Sequence, residues 1–375
     1  MACRAKGEIV LRVVWIVPGF SSDESDWCIP ALLDLARAVA RRCRLTIVAM
    51  RYPYRHDSYQ VAGAAVRSIG GAHRGPLYTP ALWRDTAAAV GAIGCDVLHA
   101  FWAYEPGLIA ARFSSKWPVV ISLAGGEVVH LPEIRYGLMG RLRTRVPICW
   151  ALRRARVVTA GSPYLMEHAH RMLLLRTLRH LPLGVDLRRW PLTRHDFRLP
   201  MILNVGSLAP VKGQAVLLRA FGRVLRQIPE ARLRIAGGGR ELGRLDSLVQ
   251  ELEMSQSVEL AGAVPHQELA VCYGQASMFV QASWHEAQGM ALLEAAACGL
   301  PIAGTAVGAL ASLAPAAALG VPAGDEHGLA TAMLRLLDHP DEAACLGRKA
   351  REMVEETYEV EMAANRLLEL YHSLL

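Results

Sequence analysis

Between Met278 and Gly304 the chain reads MFVQASWHEAQGMALLEAAACGLPIAG. This stretch constrains the fold more than any other. Met278–Val280 is a short apolar strand, residues 281–288 are a polar turn, and a helix enters at Gly289. The helix carries Met290, Leu292 and Leu293 among alanines and stops at Gly299, with Pro301 beyond. A buried strand feeding a helix through a glycine turn is the repeating unit of a parallel α/β sheet. It leaves unpaired N–H groups and the positive end of a helix dipole above the strand ends, where a phosphate sits well. Glu286 and Glu294 bracket this helix entrance, about two turns apart. Carboxylates suit polyols, because each oxygen accepts more than one charge-assisted hydrogen bond. The competing reading is a pair of solvated helix glutamates.

The surroundings decide between them. The run from Glu286 to Ala303 resembles the E-x7-E motif and the following signature of retaining GT-B glycosyltransferases of family 4, and the resemblance extends over nearly the whole chain. It implies an α/β fold of two Rossmann-like domains facing a cleft, and transfer of a sugar from a UDP- or GDP-type nucleotide sugar to an acceptor hydroxyl. In that family the glutamate matched by Glu286 holds donor-sugar hydroxyls and the one matched by Glu294 holds the ribose. Gly289 and Met290 sit at the helix entrance between them. The resemblance divides the chain into residues 1–195 plus about 358–375, an acceptor-side domain, and 196–357, a nucleotide-sugar-binding domain.

At 375 residues the chain has material for two cores. It is 53% hydrophobic with mean hydropathy +0.23, yet the nearest candidate for a spanning segment, the uncharged residues 300–324, is broken by prolines and glycines. Buried strands and loops fit it better than a spanning helix. A first strand fits the amino terminus better than a signal peptide. The eight cysteines show no metal-ligand spacing and read as thiols in a reducing, cytoplasmic setting. No H-E-x-x-H, D-x-D or clustered histidines support a metal site, so no metal and no cofactor beyond the nucleotide sugar are expected.

Charge is uneven. Residues 1–199 hold 28 Lys and Arg against 14 Asp and Glu, net +14; residues 200–375 hold 13 against 20, net −7. A basic first half suits an anionic partner. Seven arginines and no acid fall in 135–156, interleaved with Leu142, Val146, Trp150 and Leu152. Such a stretch either lies on anionic lipid at the inner membrane face, holds a phosphorylated acceptor, or is a solvated helix face. No nucleic-acid module is visible, and aromatic content is only 6%.

In chain order, residues 9–17 form a strand entering the turn Pro18-Gly19-Phe20, a Rossmann-type opening. The resemblance turns Gly19 toward the donor pyrophosphate. Residues 45–50 form a second strand, and 52–74 read as a loop reaching the acceptor side. Strands ending at Trp102 and Leu123 make His99, Trp102 and the turn Ala124–Glu127 either acceptor contacts or core-edge packing. Ala124 stands where many relatives carry a histidine, so that histidine's role does not transfer. Glu127 keeps the acidic position that orients the acceptor hydroxyl. Residues 188–200 read as a linker. Then Gly206-Ser207-Leu208, followed by Lys212-Gly213, resembles the family's G-R-L-x-x-x-K-G. Lys212 would neutralise the departing diphosphate, whereas Ser207 replaces an arginine with one neutral hydroxyl. Gly237–Gly239 lets a strand and helix approach closely. Val264 and His266 match a loop that contacts the base in relatives.

Three function classes follow. The first is the retaining, metal-independent transferase, acting on a glycan or lipid-linked acceptor. The second is a catalytically weakened nucleotide-binding or partner subunit, motivated by Ala124, Ser207 and Ala287. The third is a nucleotide-sugar epimerase on the same fold, against which the E-x7-E context speaks.

Overall fold

The computed structural model describes residues 10–70, 79–173, 177–198 and 200–375. Cys3, Ile9, residues 71–74 and Leu199 lie outside them.

The first half alternates strands and helices: β1 (Arg12–Gly19), α1 (Pro30–Ala40), β2 (Arg44–Tyr52), β3 (Asp57–Val61) and β4 (Ala64–Ser68). It continues with α2 (Thr79–Ala92), β5 (Val97–Phe101), α3 (Glu105–Ala111), β6 (Val119–Leu123) and α4 (Leu142–Arg154). Then come β7 (Val157–Ala160), α5 (Pro163–Leu173) and β8 (Leu178–His180). The sheet order is β3-β4-β2-β1-β5-β6-β7-β8, parallel throughout except for β3 against β4. β5 and β6 are buried at every position, which is why they read as apolar runs interrupted only by His99 and Ser122.

The second half repeats the plan with β9 (Met201–Val205), α6 (Gln214–Leu225), β10 (Arg232–Ala236), α7 (Leu242–Glu251), β11 (Val258–Gly262) and α8 (Leu269–Gln275). β12 (Met278–Gln281), α9 (Met290–Ala297), β13 (Ile302–Thr305), α10 (Leu310–Leu313), β14 (Leu319–Val321) and α11 (Glu326–Asp338) follow. Its sheet, β11-β10-β9-β12-β13-β14, is parallel. These are two Rossmann-like α/β units. α12 (Pro340–Thr357) packs beside α9, and α13 (Val360–His372) returns to the first sheet. There Val360, Leu367 and Tyr371 join the core of β1 and α1, and Tyr371 accepts from Trp15 Nε1 at 2.9 Å.

The sheets place the site. In a doubly wound sheet, ligands bind above the carboxyl ends of strands at the point where the strand order reverses. That point lies between β1 and β5 in the first sheet and between β9 and β12 in the second.

One sequence reading is corrected here. Within the stretch read as a loop, β3 and β4 form a hairpin at residues 57–68, on the edge of the first sheet. Its turn residues, Ala62 and Gly63, have φ of 53° and 75°. That geometry is usually signalled by Asn-Gly or Asp-Gly, and Ala-Gly hides it. Residues 188–200 do connect the halves, but they are pinned. Trp190 is buried, and the His195 ring nitrogens meet the carbonyls of Ala276 and Cys298.

Candidate active site

A cavity of about 300 Å³ lies between the two sheets. Ser122, Leu123, Ala124, Gly125, Tyr136, Gly161 and Leu183 line it from the first side; Asn204, Gly206, Lys212, Ser283 and the turn His285–Met290 line it from the second. β9 delivers Gly206 and the loop to Lys212, while β12 delivers the glutamate turn. The two loops are locked together, with Trp284 N donating to the Val211 carbonyl.

Lys212 Nζ is 2.7 Å from Glu286 Oε1, which also accepts from Ser283 Oγ at 2.7 Å. The lysine keeps more exposure than the carboxylate, so its charge stays available to the cavity. Gly289 caps α9 with φ 94°, a conformation that a side chain would strain, and Met290 begins the helix. Gly308 presses against the same turn from behind: a Cβ there would lie 2.6 Å from the Gln288 carbonyl oxygen and 2.7 Å from Glu286 Cβ. The turn is held where the first N–H groups of α9 and the Lys212 ammonium face one space. That combination suits a diphosphate.

Glu294 sits apart. It is buried, off the cavity wall, accepting from His266 Nε2 at 2.9 Å and Tyr273 OH at 3.0 Å. Burial, reinforced by the Glu294 charge, pushes the Tyr273 phenol well above its ordinary range, so it remains a donor. Arg189 Nη2 donates to His266 Nδ1 at 3.0 Å, and Nη1 meets both Asp34 oxygens at 3.1 Å. A chain of polar contacts thus runs from α1 through the connecting segment to α9. The arginine donor leaves His266 Nδ1 without a proton, so Nε2 carries the hydrogen given to Glu294.

The other expected residues divide. Gly206 faces the cavity beside Lys212. Ser207 is exposed and off the wall, and no arginine lines the cavity among the described residues. Val264 packs against the α8–α9 cluster rather than the cavity. Gly19 packs on Tyr52 and does not line the cavity. Gly237 does allow close approach, since a Cβ there would meet the Gly206 carbonyl oxygen at 1.8 Å.

Glu127 is buried and faces its own backbone. Its carboxylate accepts from the N–H groups of Gly125 at 2.7 Å and of Ala103 and Ala124 at 3.2 Å. Burial raises its pKa, opposed by these bonds. It braces the turn. On the far side of that turn a second pocket of about 510 Å³ is lined by Trp102, Tyr104, Glu127, Arg135, Tyr136 and Arg141. Tyr136 borders both spaces.

His99 belongs to the core and not to an acceptor site. It is fully buried, with Nδ1 on Tyr371 OH at 2.6 Å and Nε2 on Ser122 Oγ at 2.7 Å, and burial pushes its pKa down to about 3. Sequence reasoning passed over Asn204, Ser283, His285 and Gln288. Asn204 was detectable as the polar residue inside an apolar strand.

The chain matches two family models, described as "Glycosyl transferases group 1" over residues 194–353 and "Glycosyltransferase Family 4" over residues 31–189. It belongs to the family 4 glycosyltransferases of GT-B fold. A GDP-mannose-dependent alpha-(1-6)-phosphatidylinositol monomannoside mannosyltransferase of Mycolicibacterium smegmatis is 30% identical over 265 residues, 64% of this chain and 68% of the relative. A GDP-mannose-dependent monoacylated alpha-(1-6)-phosphatidylinositol monomannoside mannosyltransferase of Corynebacterium glutamicum is 33% identical over 217 residues. That match covers 52% of this chain and 56% of the relative, little more than half its length. The structure superposes on sucrose-phosphate synthase of Thermosynechococcus elongatus with TM-score 0.83, over 97% of this chain and 99% of that one. At 22% identity, the likeness is one of fold.

Proposed function

We propose that the chain is a retaining glycosyltransferase that moves a sugar from a UDP- or GDP-type nucleotide sugar to an acceptor hydroxyl. The observation that carries this reading is the convergence of Lys212, Glu286 and the α9 amino terminus on one interdomain cavity. The diphosphate lies against α9 with Lys212 beside it, so charge growing on the leaving group meets a fixed dipole and an ammonium. These supply positive charge without a metal, so chelation of divalent ions should leave transfer unchanged. Glu286 holds the donor sugar, and the acceptor hydroxyl attacks on the face the diphosphate leaves. Glu294 holds the ribose once the nucleotide shares it with His266, and Val264 lies near the base. Glu127 acts on the acceptor through the turn it braces.

The second pocket supplies the acceptor side. Trp102 and Tyr104 offer apolar area, Arg135 and Arg141 offer cations, and Tyr136 connects it to the donor cavity. This suits a phosphate-bearing, lipid-linked acceptor in surface glycan or glycolipid synthesis, in keeping with the phosphatidylinositol glycolipids named for the two relatives. No helix among the described residues is long and apolar enough to cross a membrane. α4 offers another contact: Leu142, Val146 and Trp150, spaced four apart, are 75%, 62% and 39% exposed beside Arg143, Arg145 and Arg153. An apolar stripe flanked by arginines lies flat on an anionic bilayer. The seven described cysteines are free thiols, in keeping with a reducing, cytoplasmic side.

The test is transfer from GDP-mannose and UDP-glucose to phosphatidylinositol-type and glycan acceptors. Turnover that collapses in Lys212→Ala and Glu286→Ala supports the reading. Tight nucleotide binding without turnover on any acceptor favours instead a binding subunit, the reading to which the exposed Ser207 and the missing arginine point.

A further inference from the structure

Among the described residues four buried side-chain atoms have no hydrogen-bond partner: Ser21 Oγ, Asn204 Oδ1, His285 Nδ1 and Gln288 Nε2. Three of the four belong to residues on the wall of the donor cavity. Buried polar groups are nearly always paired, so three such atoms on side chains that line one space point to a polar ligand.

Their chemistry is fixed by what their other ends touch. The Gly125 carbonyl can only accept, so His285 Nε2, 3.3 Å away, carries the hydrogen and Nδ1 is a bare lone pair. The Leu183 N–H can only donate, so the Gln288 oxygen faces it at 3.0 Å and the amide NH₂ is left over. The Val280 carbonyl takes the Asn204 amide at 2.8 Å and leaves Oδ1 bare. The wall therefore offers two acceptors and one donor. A phosphate, which only accepts, would leave two of the three unmet. Adjacent sugar hydroxyls, each giving one hydrogen and accepting another, match the set.

We propose that His285 and Gln288 read the hydroxyls of the transferred sugar, Nδ1 accepting from one hydroxyl and Nε2 donating to another, with Asn204 Oδ1 as a third contact. This rests on the nucleotide-sugar reading above. Both residues sit on the turn between β12 and α9, and each uses its second polar atom to touch the first unit, at Gly125 or Leu183. The sugar-reading atoms are thus oriented only while the two halves are docked. Burial among Tyr136, Tyr164 and His168 keeps the imidazole neutral, with its pKa pushed down to about 4, so the lone pair is present at pH 7.

Calorimetric titration of GDP, GDP-mannose, UDP and UDP-glucose into the wild type, His285→Phe, His285→Asn and Gln288→Leu tests the proposal. His285→Phe and Gln288→Leu should bind the diphosphates within twofold of the wild type. The sugar they recognise should bind at least tenfold more weakly. His285→Asn, which keeps an acceptor near the Nδ1 position, should recover most of that loss. Equal losses for diphosphate and nucleotide sugar would reduce both residues to pins between the two halves, and unchanged sugar affinity would overturn the assignment. A wild type that binds the diphosphates but neither sugar also overturns it. Binding of neither diphosphate nor sugar by the wild type removes the nucleotide-sugar reading itself.

Discussion

Lys212 Nζ and Glu286 Oε1 are 2.7 Å apart, although 73 residues of chain separate them. The pair joins the loops after the two strands that flank the switch point of the second sheet. The ion pair stands on one cavity wall, and the proposed function gives the two charges separate tasks on a donor, the ammonium with phosphate and the carboxylate with sugar.

Removing the carboxylate's charge while keeping its shape separates those tasks. Glu286→Gln should lower kcat about 10²-fold or more, equivalent to ~2.7 kcal/mol of transition-state stabilisation. Affinity for the nucleoside diphosphate should stay within about threefold of the wild type, because phosphate contacts remain. Steady-state transfer rates beside diphosphate titrations give both numbers. A loss of diphosphate affinity matching the loss of rate would show that Glu286 serves only to place Lys212.

The Asp34–Arg189–His266–Glu294 chain predicts a remote effect on nucleotide binding. Arg189→Met removes the donor to His266 Nδ1, leaving the imidazole free to change tautomer and loosening Glu294. Affinity for GDP or UDP should fall about tenfold, or ~1.4 kcal/mol, although Arg189 does not line the cavity. Asp34→Asn should show the same direction with a smaller effect. Unchanged nucleotide affinity in both variants would break the link from α1 to α9.

Two buried imidazoles set a pH dependence of stability. Burial lowers the pKa of His99 to about 3 and of His285 to about 4, from an ordinary 6.5. Both are neutral in the fold, so below pH 6.5 the unfolded chain binds more protons than the folded one. Stability from this source is complete above pH 6.5 and declines as pH falls, toward pH 4 for His285 and pH 3 for His99. Inside its window each group contributes a slope on the order of 1.4 kcal/mol per pH unit. Urea unfolding between pH 7 and 4.5 should be steeper in the wild type than in His99→Gln. Parallel slopes would mean that His99 titrates normally.

Helix α4 predicts salt-sensitive membrane binding. Co-sedimentation with vesicles should rise with anionic lipid content and fall with ionic strength. Replacing Leu142, Val146 and Trp150 by serine should lower the bound fraction severalfold with little change in melting temperature, since all three are already exposed. Binding that ignores lipid charge would leave the arginines as a solvated face.

The parts legible in the sequence were those in which one local pattern answers to one backbone geometry. The apolar run Met278–Val280, Gly289 at φ 94° and the helix after it came through because strand burial and a glycine turn both leave marks in neighbouring residues. The β3–β4 hairpin did not, because Ala62 adopts positive φ without a residue type that advertises it. His99 near a strand end read equally well as an acceptor contact or as packing, and what decides it is Tyr371, 272 positions away, on a helix that returns from the far end of the chain. His285 and Gln288 lay inside the motif unremarked, because their meaning depends on Gly125 and Leu183 across the cleft. Contacts between the two halves are set by docking, which no local pattern encodes.

A diphosphate held by Lys212 at the amino end of α9 is the core of the proposed function, and titration of GDP and UDP into the wild type and Lys212→Ala is its sharpest test. The wild type should bind at least one of the two saturably and one to one. In Lys212→Ala that binding should be about 10- to 100-fold weaker, a loss of ~1.4–2.8 kcal/mol, without a change of fold by circular dichroism. Identical affinities in the two proteins, or no binding of either diphosphate by the wild type, would contradict it.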